Sequence, residues 1–385
     1  MSQKVATTMK KKTSEAPKKK PSVVAKKKTV TRKDSGVKRI NLALQGGGSH
    51  GAYTWGVLDR ILEEEDIEIV AISGTSAGAM NAAVLIDGMA EGGRTRAKEQ
   101  LAEFWREVSG VSAAFSPLQH NAIENFQQAW GIKPGQAIGA FDALSHSFSP
   151  YDLNPLNFNP LRDVLARTIN FEQMHKTSKI GLYVTATAVE TGQPHVFECK
   201  EVSLDVLMAS ACLPTMFHAV EIDGEPYWDG GYMGNPSIWP LIYRSDCQDV
   251  LLVEINPAYR AGTPKNATDI INRLNEISFN SSLISEMRAI HFVQKLLHQG
   301  ELKSGKYKDI FMHMVNVPEE LQKLGAQSKL NVDWEFFQLL RELGYSAASN
   351  WIKSHKRFIN TKSTVDIESV FLSNKYALSQ KKKAS

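Results

Sequence analysis

Residues 37–86 read VKRINLALQGGGSHGAYTWGVLDRILEEEDIEIVAISGTSAGAMNAAVLI, and the spacing of their apolar residues decides the fold class. VKRINLALQ mixes β-branched with other apolar residues and runs into three glycines, the pattern of a buried strand ending in a turn. In 51–65, Tyr53, Val57, Ile61 and Leu62 fall on one helical face. IEIVAIS, 67–73, is a second short apolar strand. After GTSAG, the Ala-rich AMNAAVLIDGMA predicts another helix. Strand, helix, strand, helix opens a parallel sheet with crossovers on its faces.

Downstream, 94–108 predicts a helix, and 110–160, rich in Pro, Asn, Gly and Ser, predicts a long irregular excursion. Its aromatics, Trp130, Phe141, Phe148, Tyr151 and Phe158, would line an acyl channel, touch a lipid surface or fill a core. KIGLYVTATAVE, 179–190, reads as a strand with GQPHVFECK paired to it. LDVLMASACLP, 204–214, reads as a helix stopped by Pro214, and EIDGEPYWDGG as a hairpin around Asp223-Gly224. DVLLVEIN, 249–256, is a further buried strand. Beyond 268 the texture becomes helical, over 268–299 and 333–358, with one strand at 307–317.

The chain has 385 residues, 42% of them hydrophobic, enough for a sizeable core. Cys199, Cys212 and Cys247 lie far apart with no CxxC spacing. That argues against a disulfide framework or zinc cluster and fits a reducing, cytoplasmic compartment. No apolar signal region opens the chain, and no uninterrupted apolar run of about 18 residues occurs. Residues 1–39 hold fourteen Lys or Arg against Glu15 and Asp34, so this segment carries +12 while the whole chain carries +4. Such a tail buries too little apolar surface to order itself. It would associate peripherally with a membrane, a storage-granule surface or nucleic acid, or merely solubilise the chain.

Three features carry the chemistry. Gly74-Thr75-Ser76-Ala77-Gly78 is a G-x-S-x-G between a strand and a helix; a sharp turn there would lift the Ser76 oxygen, with Gly74 and Gly78 clearing space. Read blandly, Ser76 caps a helix. Gly46, Gly47 and Gly48 occupy the preceding strand-to-helix turn, where free N–H groups would form an oxyanion hole. The run GGGSHG also fits G-x-G-x-x-G, but a dinucleotide site expects an acid at the end of the second strand, where Gly74 stands; no Lys-Ser/Thr follows for a P-loop. Asp229-Gly230-Gly231 ends a hairpin strand. Its carboxylate would take the serine proton, or the dipeptide would simply make a turn.

In this order the three features resemble the patatin-like phospholipase family, and SACLPTMFHAVEIDGEPYWDGGYMGNPS, with Pro214, Phe217 and Asn235, is similar to its block around Asp-Gly-Gly. The resemblance covers about 38–256. The later MRAIHFVQKLL and SKLNVDWEFFQLLRELG are similar to an extra region in a bacterial subset. It implies an α/β three-layer sandwich with a mostly parallel central sheet, plus a helical C-terminal extension. The parts would be a tail at 1–37, a catalytic domain at 38–260, the extension at 261–372 and a basic tail at 373–385. It also implies a Ser–Asp dyad of Ser76 and Asp229, an oxyanion hole on Gly46–Gly48, acyl-ester substrates, and no cofactor or metal. His50 departs from the pattern, standing where the family usually has Arg or Lys. A Ser–Asp–His triad using His291, His298 or His313 remains the rival. A polyhydroxyalkanoate depolymerase with the same dyad, or a non-catalytic lipid- or granule-binding protein, are the alternative functions.

Overall fold

The computed structural model describes residues 36–373 apart from 131–148, 261, 304, 323 and 325. The tails, Phe141 and Phe148 therefore lie outside the described residues, as does the side chain of Trp130. The sheet is built from β1 (Lys38–Leu44), β2 (Ile67–Gly74), β3 (Gly181–Ala188), β4 (Pro194–Glu198), β5 (Val220–Ile222), β6 (Glu225–Asp229), β7 (Asp249–Val253) and β8 (Phe311–Val315). Its order is β5-β6-β3-β2-β1-β7-β8, with β4 on β3. β3, β2, β1, β7 and β8 run parallel, and β4, β5 and β6 join through antiparallel pairs.

Ile40–Leu44 and the whole of β7 are buried, as expected of central parallel strands covered on both faces. One face packs on α1 (Gly51–Leu62) and the start of α2 (Ala77–Trp130), which bury Tyr53, Val57, Leu58, Leu85 and Phe104. The other carries Ala43, Ala71, Val250 and Leu252 against Leu283, Met287 and Ile290 of the long helix Ala267–His298. These are the three layers anticipated from the sequence. α2 breaks at Gly92–Gly93, where Gly93 has φ +74°, and then runs helically to Trp130. The irregular excursion expected from residue 110 therefore begins at least twenty residues too early.

From Val37 onward the described residues form one compact unit. β8 extends the sheet beside β7, and α3 (Leu204–Ser210), α4 (Ala267–His298) and α5 (Trp334–His355) pack around it. α5 lies against α1 so closely that a Cβ on Gly56 would strike the Arg341 carbonyl, and one on Gly344 the Tyr53 carbonyl. Among the described residues no helix is long and apolar enough to cross a membrane.

Candidate active site

Strand pairing explains how Ser76 and Asp229, so distant in sequence, meet. On β3, Val184 pairs with Gly74 of β2 on one edge and Phe197 of β4 on the other. Two residues on, Ala186 pairs with His195 of β4 and Asp229 of β6. Since β4 holds one edge throughout, β6 occupies the edge that β2 has just vacated. Asp229 thus emerges beside the β3 edge immediately past the turn that carries Ser76.

Ser76 has φ +52°, a left-handed conformation rare for a residue with a side chain, and its position at a turn is the signature of stored local strain. Several bonds hold it there. Its N–H donates to Ser210 Oγ at 2.9 Å, Ser210 Oγ donates to the Thr185 carbonyl at 2.7 Å, and Thr75 Oγ1 donates to the Gly234 carbonyl at 2.6 Å. A Cβ on Gly74 would meet the Gly78 carbonyl oxygen at 2.7 Å, and one on Gly78 would strike the Leu44 carbonyl, so both flanking glycines are sterically required. Ser76 is half-buried while its neighbours on both sides are buried, which leaves its hydroxyl approachable.

Asp229 is buried, with its backbone fixed by donation to the Cys212 carbonyl at 2.8 Å and acceptance from Thr187 Oγ1 at 2.8 Å. Its Oδ1 accepts the Gly231 N–H at 2.7 Å. Burial pushes its carboxyl up from 3.8 to about 7; hydrogen bonds from the Gly231 amide first and the Ser76 hydroxyl second pull the other way.

The Gly-rich turn packs directly on this pair: a Cβ on Gly46 would stand 2.7 Å from the Thr75 carbonyl oxygen and 2.8 Å from Ser76 Cβ. The three glycines are not equivalent, however. Gly46 N–H is already donated to Asn235 Oδ1 at 2.6 Å, and the Gly46 carbonyl accepts from Asn256 Nδ2 at 2.7 Å. The two asparagines anchor Gly46, and the N–H groups of Gly47 and Gly48 make no hydrogen bond among the described residues. Of the three glycines expected to offer free N–H groups, Gly46 is therefore already committed. Gln45 supports the turn from below, its Oε1 accepting from Ile255 and Asn256 N–H at 2.8 Å each. Ser210, Asn256 and Gln45 were not apparent from sequence. Asn256 closes the apolar run DVLLVEIN, where a polar residue at a strand end was the available signal.

His50 is buried with Nε2 2.7 Å from Ser328 Oγ, and burial, then Lys329 and Arg260, push it down to about 3. It is neutral at working pH. The rival histidines are occupied elsewhere: His313 Nε2 bonds Asp249 at 2.9 Å, His298 bonds Asp309 at 3.0 Å, and His291 lies 3.9 Å from Glu368. Asp249 begins β7, at the opposite end of the sheet from Gly74, so a triad through His313 is excluded. Tyr151 and Phe158 are exposed.

Among solved structures the chain is similar to VipD from Legionella pneumophila, at 14% identity and TM-score 0.39, covering 89% of this chain and 74% of that one. It is also similar to the type III effector protein ExoU, at 15% identity and TM-score 0.30, covering 90% and 62%. A third is the complex of SpcU with ExoU from Pseudomonas aeruginosa, at 14% identity and TM-score 0.25, covering 90% and 78%. No curated protein matches the sequence. The profile described as patatin-like phospholipase matches residues 42–242, more than half of the chain and the stretch from the end of β1 through Asp229. The chain belongs to the patatin-like phospholipase family.

Proposed function

We propose that the protein is a serine acyl hydrolase that cleaves carboxylic esters of lipids through a Ser76–Asp229 dyad. The observation that carries this reading is the approachable Ser76 hydroxyl facing a buried carboxylate whose pKa lies near neutrality. A base is most useful when its pKa is close to the working pH. In the proposed cycle Asp229 takes the hydroxyl proton as Ser76 Oγ bonds to the ester carbonyl carbon. The carbonyl oxygen becomes an oxyanion facing the N–H groups of Gly47 and Gly48 and the N-terminal end of α2. The C–O bond to the alcohol breaks, and the alcohol leaves with the proton from Asp229. Water then repeats the sequence on the acyl-enzyme and releases the acid.

A fluorophosphonate probe tests the nucleophile: it labels the wild-type protein and leaves Ser76→Ala unlabelled. Equal labelling of both would refute the assignment. A panel of phospholipids, acylglycerols and hydroxybutyrate oligoesters then separates phospholipase from polyester depolymerase, which the dyad alone does not distinguish.

A further inference from the structure

The loop that follows Asp229 touches each part of the candidate site. Gly234 N–H donates to the Gly230 carbonyl at 2.8 Å, directly after the aspartate. The Gly234 carbonyl accepts from Thr75 Oγ1, next to Ser76, and the Ser237 carbonyl accepts from Ser73 Oγ. Between them, Asn235 Oδ1 accepts the Gly46 N–H at 2.6 Å. Residues 230–237 therefore tie the strand end of Asp229 to the turn of Ser76 and to the Gly-rich turn.

The loop runs into the short helix Trp239–Arg244, whose own sequence does not close its start. Ile238 stands at the cap position with no side-chain acceptor, and Pro240 brings no N–H. The N–H groups of Ile238 and Trp239 need an acceptor from elsewhere. Glu286 of α4 supplies it: one oxygen, Oε2, accepts from Ile238 at 2.8 Å and from Trp239 at 2.7 Å. A single atom thus fixes two consecutive amides, three and four residues past Asn235. Ile238 and Leu241 also share a buried apolar cluster with Leu283 and Met287, neighbours of Glu286 on α4. Apolar contact is non-directional, so it holds the two elements together without orienting their peptide planes; the carboxylate orients them. Among the described residues no basic side chain pairs with Glu286. Burial pushes its carboxyl up to about 7, and the Trp239 and Ile238 amides pull the other way. The two amides, not an ion pair, define what this carboxylate does.

We infer that Glu286 is a positioning residue for the ester chemistry: by holding Ile238 and Trp239 it fixes Asn235, and through Asn235 the Gly46 end of the Gly-rich turn. The inference rests on the proposed hydrolysis and adds to it a contribution from α4, which lies wholly beyond residue 242, where the family profile ends. Glu286 acts through the loop and not on the ester. Its loss should shift the turn without deleting a donor, and a misplacement on the order of 1 Å at a site can cost about a hundredfold in rate.

Kinetics on p-nitrophenyl butyrate, run well below the melting temperature of each variant, test this. Glu286→Ala should lower kcat about tenfold or more with KM little changed. Glu286→Gln, whose amide oxygen still reaches both N–H groups, should recover most of that kcat. Glu286→Asp, which withdraws the acceptor by one methylene, should lose kcat in the same direction and takes the place of the Ala variant if that one does not fold. Because the effect passes through Asn235, adding either change to Asn235→Ala should lower kcat little further than Asn235→Ala alone. A lowered melting temperature with wild-type kcat would make Glu286 a stabilising cap only and overturn the inference. So would equal kcat losses in Glu286→Gln and Glu286→Ala or Glu286→Asp, or losses that multiply in the double variant. If the wild-type protein cuts this ester no faster than Ser76→Ala, the proposed hydrolase itself fails and the positioning role falls with it.

Discussion

Replacing Asp229 by Asn should produce a protein that is inactive yet more stable than wild type above neutral pH. The carboxyl titrates near 7 in the folded chain and near its ordinary 3.8 in the unfolded one. Below 3.8 both states hold the proton and the group contributes nothing. Between 3.8 and about 7 the unfolded chain releases a proton that the folded chain keeps, so stability falls as pH rises. Above about 7 the loss levels off; at about 1.4 kcal/mol per pH unit it amounts to roughly 4 kcal/mol. The neutral amide of the variant carries no such penalty, and its oxygen can still accept from Gly231 and Ser76. Urea titrations at pH 8 should therefore place Asp229→Asn above wild type by up to roughly 4 kcal/mol, and titrations at pH 4 should bring the two together. The same pKa governs the wild-type rate. Only the ionised carboxylate accepts the serine proton, so kcat/KM should fall about tenfold per pH unit below about 7, to roughly a hundredth of its plateau at pH 5. Stability curves that stay parallel across this range, or an acid limb centred near pH 4, would refute a desolvated base.

Gly56→Ala should destabilise the protein by about 2 kcal/mol or more, read as a lowered urea midpoint, because its Cβ would strike the Arg341 carbonyl across the α1–α5 contact. Asn235→Ala removes the acceptor of the Gly46 N–H. It should lower kcat at least tenfold with little change in KM, since the turn it frees is proposed to bind the oxyanion and not the ground-state ester. His50→Lys would set a second ammonium beside Lys329 and Arg260 in a buried position. It should lower the melting temperature, and Lys329→Met should restore much of the loss in the double variant; simple additivity of the two effects would show that the charges do not meet.

The parts of this molecule that could be read from sequence are those whose signal is local. The apolar runs at 40–44 and 67–73, the helix face through Tyr53, Val57 and Ile61, and the glycines around Ser76 each state their environment within a few residues. Asp229 was legible because Asp-Gly-Gly after a short strand permits an approach to a turn. What the sequence did not show was which edge of β3 that strand would take, and that edge brings the carboxylate to the serine. The misread stretch after 110 has a related cause. Ser116-Pro117 and scattered Asn residues argue for a loop by local propensity, yet the backbone remains helical to Trp130. The return of the chain to the sheet was not legible either: a parallel partner such as β8 has no turn linking it to β7, so nothing near residue 260 announces that the sheet resumes at Phe311.

The same limit bears on the charge at the Gly-rich turn. Judged at position 50 alone, a neutral histidine in place of a cation lowers the positive potential available to a developing oxyanion. The fold returns a cation by another route: α5 locks against α1 through Gly56 and Gly344, the segment preceding α5 is thereby held over Gly48, and Lys329 hangs from it onto Asn256. A second cation at position 50 would then repel the first in a place with little water to screen it. Neutrality at 50 and charge at 329 are accordingly two halves of one electrostatic condition. The C-terminal region is consequently a structural supplier to the Gly-rich turn: the turn proposed to serve the ester chemistry packs on a residue that arrives about a hundred positions after Asp229.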